Sequence, residues 1–134
     1  MRFMVINYSD EAYEADTPPT PEMVAALGAY MEEAARSGVL LAGEGVRSSR
    51  HGARLTITDG EATVTDGPFA EAKELIAGFA ILDVKSKEEA IEHAKRFAKI
   101  SGATKIDIRR ERLDRKQQQV GHEMTVTADR KSVV

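Results

Sequence analysis

Short apolar runs bounded by turn-forming residues predict the strands of this chain. The run 3–8 ends at Ser9-Asp10-Glu11 and is too short for a helix. Two further runs predict buried strands, and a last run, whose two sides differ in polarity, predicts an exposed or edge strand. These later strands span residues 39–42, 78–84 and 104–110.

Helical spacing of apolar residues predicts two helices between these strands. Thr20 and Pro21 favour a helix start, and apolar residues three and four apart continue to a predicted end at Gly38. Ser86 and Glu89 form a predicted capping box, in which the glutamate returns to the serine backbone N–H. The second helix therefore runs from Ser86 to Gly102.

The dipeptide Asp59-Gly60 predicts a β-hairpin, because a type I′ turn needs positive φ at both residues. A two-residue turn pairs Leu55 with Val64 and Ile57 with Ala62, so four apolar residues share one face. After this hairpin the segment 66–69 breaks the chain, and 70–75 adds a helical turn.

The composition defines the class of protein. The chain has 134 residues, 42% hydrophobic residues and no cysteine, which predicts one domain with its own core and excludes disulfides and thiol nucleophiles. We predict a domain over 1–110 and a polar C-terminal extension over 111–134, either disordered or with an edge strand near 124–127. A net charge of −3 and an aromatic content of 5% argue against direct nucleic-acid binding.

No run of the sequence is long and apolar enough for a membrane span, and no signal peptide is visible, so we expect a cytoplasmic protein without a membrane partner. His51, His93 and His122 share no ligand spacing, so we interpret them as solvated and expect no metal site. Dinucleotide and P-loop motifs are incomplete or absent, and we expect no cofactor.

The predicted sheet is apolar on both faces, although two helices can cover only one. In the first strand Phe3 and Val5 alternate with Met4 and Ile6. We therefore predict an α+β fold in which two ferredoxin-like protomers stack their sheets as a homodimer, a dimeric α+β barrel with an extra hairpin. The alternative is that the extension or the loop 47–52 covers the face within one chain.

Three segments resemble the YCII-related proteins of the DGPF type. They are Tyr8–Glu11, Gly38–Gly45 and above all Thr65–Glu74 followed by Gly78-Phe79. The resemblance spans residues 1 to about 110 and implies a ferredoxin-like protomer, a dimeric barrel and, for most members, no established activity. For some members it implies a His–Asp pair with the histidine on the first helix, but residues 20–37 contain no histidine. It also implies gene neighbourhoods that often include sigma factors.

Polar residues near the strand ends form the predicted site. The catalytic candidates are Asp66, Glu44 and Lys73, because carboxylates beside an apolar sheet can act as general bases and Lys73 or Tyr8 can stabilise an oxyanion. The ligand-binding candidates are Tyr8, Phe69, Glu71, Glu74 and Phe79. In the simpler alternative, which residue type favours, Asp66 only caps the following turn and Phe69 belongs to the core.

Three possibilities remain open at this point, and the simplest is a stress-related structural dimer with no specific ligand; the other two are function classes. In the first, the cleft between the sheets of the dimer binds a small organic molecule and performs cofactor-free proton-transfer or lyase-like chemistry. In the second, the chain is a non-catalytic interaction or sensor module associated with transcription regulation, with a sigma factor as its partner.

Overall fold

A computed structural model describes residues 1–112 of the chain. Its strands and helices follow the order predicted from the apolar pattern, and the helical turn predicted at 70–75 is a 3₁₀ turn; one short helix and one further 3₁₀ turn are additional. In chain order they are β1 (Arg2–Tyr8), α1 (Glu11–Glu14), α2 (Pro21–Arg36), β2 (Leu40–Gly45), a 3₁₀ turn (Ser49–His51), β3 (Ala53–Thr58), β4 (Glu61–Asp66), a 3₁₀ turn (Ala72–Glu74), β5 (Ile76–Asp83), α3 (Lys87–Ser101) and β6 (Ile106–Arg110).

Four strands form one antiparallel sheet in the order β2-β5-β1-β6. The strand–helix–strand halves β1-α2-β2 and β5-α3-β6 interleave in this order, which is the ferredoxin-like arrangement. Strands β3 and β4 pair separately as a hairpin inserted between β2 and β5. The predicted α+β class is therefore confirmed for the protomer.

Helices α2 and α3 pack on one face of the sheet. Alternation along β1 directs Phe3 and Val5 to this face, where they meet Leu82 of β5 and the small residues Ala90 and Ala94 of α3. The core is thin, because within residues 1–112 no large side chain is completely buried. Only one face of the sheet is thus covered by helices.

The helix starts agree with the sequence in part. Thr20 Oγ1 accepts from the Met23 N–H at 3.1 Å, and Ser86 Oγ accepts from the Glu89 N–H at 3.2 Å, so both predicted caps are confirmed. The predicted return bond of the capping box is wrong. The Glu89 carboxylate accepts instead from the Lys85 N–H, one residue before the cap, at 2.9 Å.

Strand β2 corrects another prediction. The sequence predicts a buried strand over 39–42, but β2 lies at one edge of the sheet, and Leu41 is 41% exposed. A short apolar run is found both in central strands and in edge strands, so it does not distinguish the two positions in a sheet. Strand β6 lies at the other edge, as predicted.

The hairpin has the predicted register. Leu55 faces Val64, Ile57 faces Ala62, and Asp59 and Gly60 both have positive φ (52° and 82°). All twelve strand residues are exposed, so the hairpin projects from the protomer.

The remaining predictions concern the chain ends and membrane segments. Residues 113–134, which contain most of the predicted polar extension and the strand candidate near 124–127, lie outside the described residues. None of the helices within 1–112 combines the length and the hydropathy needed to cross a bilayer.

Candidate functional site

The sheet face opposite the helices has an apolar centre and polar ends. Strand pairing aligns one residue from each strand in a row across this face: Glu44, Phe79, Ile6 and Asp107. Ile6 and Phe79 are half-buried in the protomer, and Glu44 is exposed to water. We call this surface the open sheet face, and it includes the predicted residues Glu44, Phe79 and Tyr8.

Tyr8 is already engaged at the end of β1. Its hydroxyl donates to Asp107 Oδ2 at 2.6 Å, and this hydrogen bond is the main reason that the pKa of Tyr8 is raised above 10.0. The Lys105 ammonium lies 4.1 Å from the centre of the Tyr8 ring. Because a hydroxyl has one proton, Tyr8 can stabilise an oxyanion only if the bond to Asp107 opens.

The other predicted polar residues lie away from the open sheet face. Asp66 ends β4 opposite Ala53 of the hairpin. Its carboxylate is exposed and accepts no hydrogen bond within residues 1–112, so the capping interpretation of Asp66 is wrong. Glu71 and Glu74 are exposed at the 3₁₀ turn Ala72–Glu74, which also contains Lys73. The predicted residues therefore belong to two surfaces.

Gly67 joins the hairpin to the loop 46–52. Its N–H donates to the Gly52 carbonyl at 3.0 Å, and a Cβ atom at Gly67 would lie 1.7 Å from the Ser49 carbonyl oxygen. At Gly67 the backbone after the hairpin thus lies very close to the backbone of the loop 46–52. The peptide bond between Gly67 and Pro68 is cis. Glycine is required at position 67 because no side chain fits there.

A cavity of about 310 Å³ lies beside this contact. Its wall is apolar on one side, where Phe69, Leu75 and Ile76 lie, and the Arg54 guanidinium stacks 4.5 Å from the Phe69 ring centre. The remaining lining residues are Glu14, Val46, Arg47, Ser48, Ser49, His51, Gly52 and Ala53. Neither Asp66 nor Glu44 lines this space, which we call the loop cavity.

A second depression of about 330 Å³ adjoins the loop cavity and shares Val46, Arg47 and Ser48 with it. Within residues 1–112 the Arg47 guanidinium forms no ion pair. A guanidinium between two open spaces is suited to bind a carboxylate or an oxyanion of a ligand.

The short helix α1 fixes the loop that lines the cavity. Asp10 Oδ1 caps α1 by accepting from the Tyr13 N–H at 2.7 Å, which directs Glu14 towards Ser49. Glu14 accepts from the Ser49 N–H at 2.9 Å and also from the Ser49 hydroxyl. The Tyr13 hydroxyl donates to the Val46 and Ala77 carbonyls. Burial is the main cause of the raised pKa of Tyr13.

A His–Asp pair connects the two depressions: His51 lines the loop cavity, and Asp16 lines the second depression. His51 Nε2 is 3.3 Å from Asp16 Oδ2, and Arg50 Nε is 3.4 Å from the same oxygen. The pKa of Asp16 is lowered, first by the hydroxyl of Ser48 and then by His51 and Arg50. Ser48 is only 3% exposed, and although it lies close enough to affect Asp16, its hydroxyl completes no hydrogen bond of normal geometry within 1–112.

The sequence analysis did not find this pair. His51 is exposed, as expected for a solvated histidine, but its ring also contacts Asp16. Asp16 and His51 are 35 positions apart on two loops, so no spacing rule connects them. The one local signal is the conformation of Asp16, whose φ of 59° is uncommon for a residue other than glycine. A carboxylate at one ring nitrogen orients the imidazole and leaves Nδ1 to accept a proton.

The comparison with protein families identifies the family of this chain. The sequence profile of the YCII-related domain matches residues 1–111. The chain belongs to the YCII-related family. An uncharacterized protein of Rhizobium meliloti (strain 1021) is 30% identical over 112 residues, which cover 78% of this chain and 86% of that protein.

One solved structure resembles this YCII-related chain in fold. It is the 5-chloro-2-hydroxyhydroquinone dehydrochlorinase TftG of Burkholderia phenoliruptrix AC1100, in complex with 2,5-dihydroxybenzoquinone. The TM-score is 0.50 with 15% sequence identity, and the match covers 87% of this chain and 98% of TftG. Within the described part of this chain, no group of three or more His, Asp or Glu residues is placed to hold a metal ion.

Proposed function

We propose that this YCII-related chain binds a small planar organic molecule in the loop cavity and transfers a proton to or from it without a cofactor. His51 is the base in this proposal, and Asp16 holds the imidazole in place. The observation that carries the proposal is the 3.3 Å contact between Asp16 and His51, a residue that lines the loop cavity. This contact forms a His–Asp pair of the kind that the family resemblance implies, although its histidine does not lie on α2, the helix predicted first from the sequence.

The lining of the cavity supports a ring-shaped ligand with an ionisable oxygen. The apolar wall at Phe69, Leu75 and Ile76 can cover one face of a ring. Arg47 and the buried Ser48 hydroxyl can bind an oxygen that becomes negative when the ligand loses a proton. A volume of about 310 Å³ is at the small end of ligand sites, which favours a single ring.

The test uses 2,5-dihydroxybenzoquinone, the ligand of the structurally similar TftG, as the probe. In D2O a proton-transfer catalyst delivers a deuteron to a ring carbon and then removes the original proton, so the ring C–H becomes C–D. NMR measures the rate of this exchange. We expect the protein to accelerate it, and His51→Gln to reduce the acceleration about 100-fold, the usual contribution of general base catalysis.

His93→Gln is the matched control, because His93 lies between α2 and α3, where its ring contacts the Tyr30 hydroxyl at 3.2 Å. Glu44→Gln tests the site predicted on the open sheet face. Loss of exchange with Glu44→Gln but not with His51→Gln would move the reaction to that face. A protein that binds the probe without accelerating exchange would favour the non-catalytic module.

We also propose that the protein is a homodimer in which two open sheet faces stack, forming the dimeric α+β barrel. This is supported by the apolar centre of the face, where Met4 faces Ile81 and Ile6 faces Phe79. A glutamate in this centre would be buried without a partner. We expect Ile81→Glu to weaken association more than 100-fold in sedimentation, whereas Val24→Glu, at a 56% exposed position on α2, leaves it unchanged. Equal association of the two variants would refute the stacked sheets.

A further inference from the structure

The hairpin β3–β4 exposes a row of large apolar side chains that no part of residues 1–112 covers. Leu55 is 59% exposed, Ile57 67% and Val64 66%, and Ala62 completes the same face. The opposite face carries Arg54, threonines and Glu61, so the two faces differ sharply in polarity. We call the row Leu55, Ile57, Ala62 and Val64 the arm face.

An isolated two-stranded hairpin is marginally stable in water, so a projecting one needs a surface to pack against. The base of this hairpin is nevertheless fixed. Gly67 donates to the Gly52 carbonyl at 3.0 Å, and Arg54 stacks on Phe69 at 4.5 Å. The base of the hairpin therefore fixes where the arm face lies, while both strands stay exposed within residues 1–112.

We propose that the arm face packs against a second copy of this chain. This inference rests on the homodimer proposed above and adds a contact that the stacked sheets do not include. Neighbouring strands lie about 4.8 Å apart with about 3.3 Å per residue, so four strands sharing about five residues present roughly 300 Å². A stable interface buries about 800 Å² of accessible surface on each partner, so contacts beyond the flat centre of the open sheet face would strengthen the dimer.

The arm face enlarges this surface substantially. Six residues in each of two strands present roughly 200 Å² more by the same spacings. Both surfaces are apolar and belong to the same chain, as the self-complementary interface of a two-fold dimer requires. The hairpin is connected to the sheet at the Gly45 end of β2 and the Ile76 end of β5, which lie side by side.

Residues 113–134 are the other occupant to be tested. They follow β6, whose end pairs with the beginning of β1: Arg110 faces Phe3, and the Glu111 N–H donates to the Arg2 carbonyl. The hairpin emerges at the opposite end of β1, where Tyr8 faces Ile76. The C-terminal residues thus start about 20 Å from the base of the hairpin, given seven residues in β1.

The experiment uses the absence of cysteine from the full chain. Ile57→Cys is labelled with a benzophenone maleimide, and Thr56→Cys, on the polar face of the same strand, is the matched control. Each variant is mixed as ¹⁴N and ¹⁵N protein, allowed to exchange subunits, irradiated and analysed by mass spectrometry. Sedimentation on the same samples gives the oligomeric state.

We expect isotopically mixed cross-links from position 57, in at least tenfold higher yield than from position 56. Cross-links from position 57 that are exclusively isotopically pure, as links to residues 113–134 of the same molecule would be, would overturn the inference, as would equal yields of mixed links from the two positions. A sedimenting dimer without mixed links from position 57 would overturn the arm contact alone. A monomer would overturn the homodimer as well.

Discussion

Replacing Gly67 by alanine tests whether the contact between hairpin and loop organises the cavity. The added Cβ would lie 1.7 Å from the Ser49 carbonyl oxygen, 2.5 Å from the Ser49 carbonyl carbon and 3.1 Å from the Arg50 nitrogen. All three are backbone atoms, so no side-chain rotation can relieve the clash. The 3₁₀ turn Ser49–His51 must therefore move away from the hairpin.

The size of this movement follows from the distances. Real Cβ contacts begin near 3.0 Å, so the Ser49 oxygen must move by about 1.3 Å. Such a shift breaks the hydrogen bond from Gly67 to Gly52 and disturbs those from Ser49 to Glu14. Overpacking costs about 1–3 kcal/mol, and a rigid backbone neighbour places Gly67→Ala at about 3 kcal/mol. For a domain of this size that corresponds to a loss of roughly 10 °C or more in Tm.

Urea unfolding and thermal melts measure this loss against two glycine controls. Gly52→Ala changes the same loop, but its Cβ would meet the nearest atom at 3.7 Å, an ordinary contact, so we expect a change within about 0.5 kcal/mol. Gly28→Ala adds a Cβ with nothing within 4 Å inside helix α2, and we expect about 0.5–1 kcal/mol of stabilisation.

Two results would refute the reasoning. If Gly67→Ala melts within a degree of the parent, the loop is not held against the hairpin. If it loses stability but keeps His51-dependent exchange of the probe, the contact does not organise the loop cavity. Gly52→Ala showing the same loss as Gly67→Ala would mean that the loop tolerates no side chain at all.

Three further predictions follow from the hydrogen bonds and pKa shifts. The pKa of Asp16 is lowered by Ser48, His51 and Arg50, so its carboxylate stabilises the fold above pH 3.8. This contribution disappears as the pH falls through the lower folded pKa. In urea unfolding, Asp16→Asn should therefore have a lower free energy of unfolding than the parent at pH 6 but not near pH 2. All three tyrosines have raised pKa values, so absorbance titration of the folded protein should give midpoints above 10.0, with stability lost as the pH rises through them, whereas the urea-unfolded chain should titrate normally. Ser86→Ala should cost about 1 kcal/mol through loss of the α3 cap, and Ser86→Asp should retain it.

The sheet and the helices were predictable because their signals are local. A run of alternating residues identifies a strand such as β1, and the caps at Thr20 and Ser86 identify helix starts. The hairpin was predicted down to its register, because Asp59-Gly60 dictates both the turn and the pairing. Position in the sheet is not local, which is why β2 was taken as buried although it forms an edge.

The candidate site was less predictable, because its residues meet only through tertiary contacts. Glu44, Phe79 and Tyr8 were found by their positions at the ends of strands, and they do share one face. Asp66 was chosen from a motif whose most specific structural requirement is the neighbouring Gly67, where no side chain fits. Asp16 and His51 were missed because each is unremarkable in its own loop.

The ferredoxin-like order itself explains why these distant loops meet. The last residues of β1 and β2 and the first residues of β5 lie at the same end of the strands. The segments after Tyr8, after Gly45 and before Ile76 therefore lie side by side. Backbone bonds tie them together there: the Ser9 N–H donates to the Leu75 carbonyl and the Val46 N–H to the Ala77 carbonyl, each at 2.8 Å. Backbone bonds of the strands fix the positions of these loops without using the loop side chains. Any of the loops can therefore supply the histidine of an acid–base pair. In the function proposed above, the base is therefore supplied by a loop residue, His51, and its position depends on Gly67 keeping this loop against the hairpin.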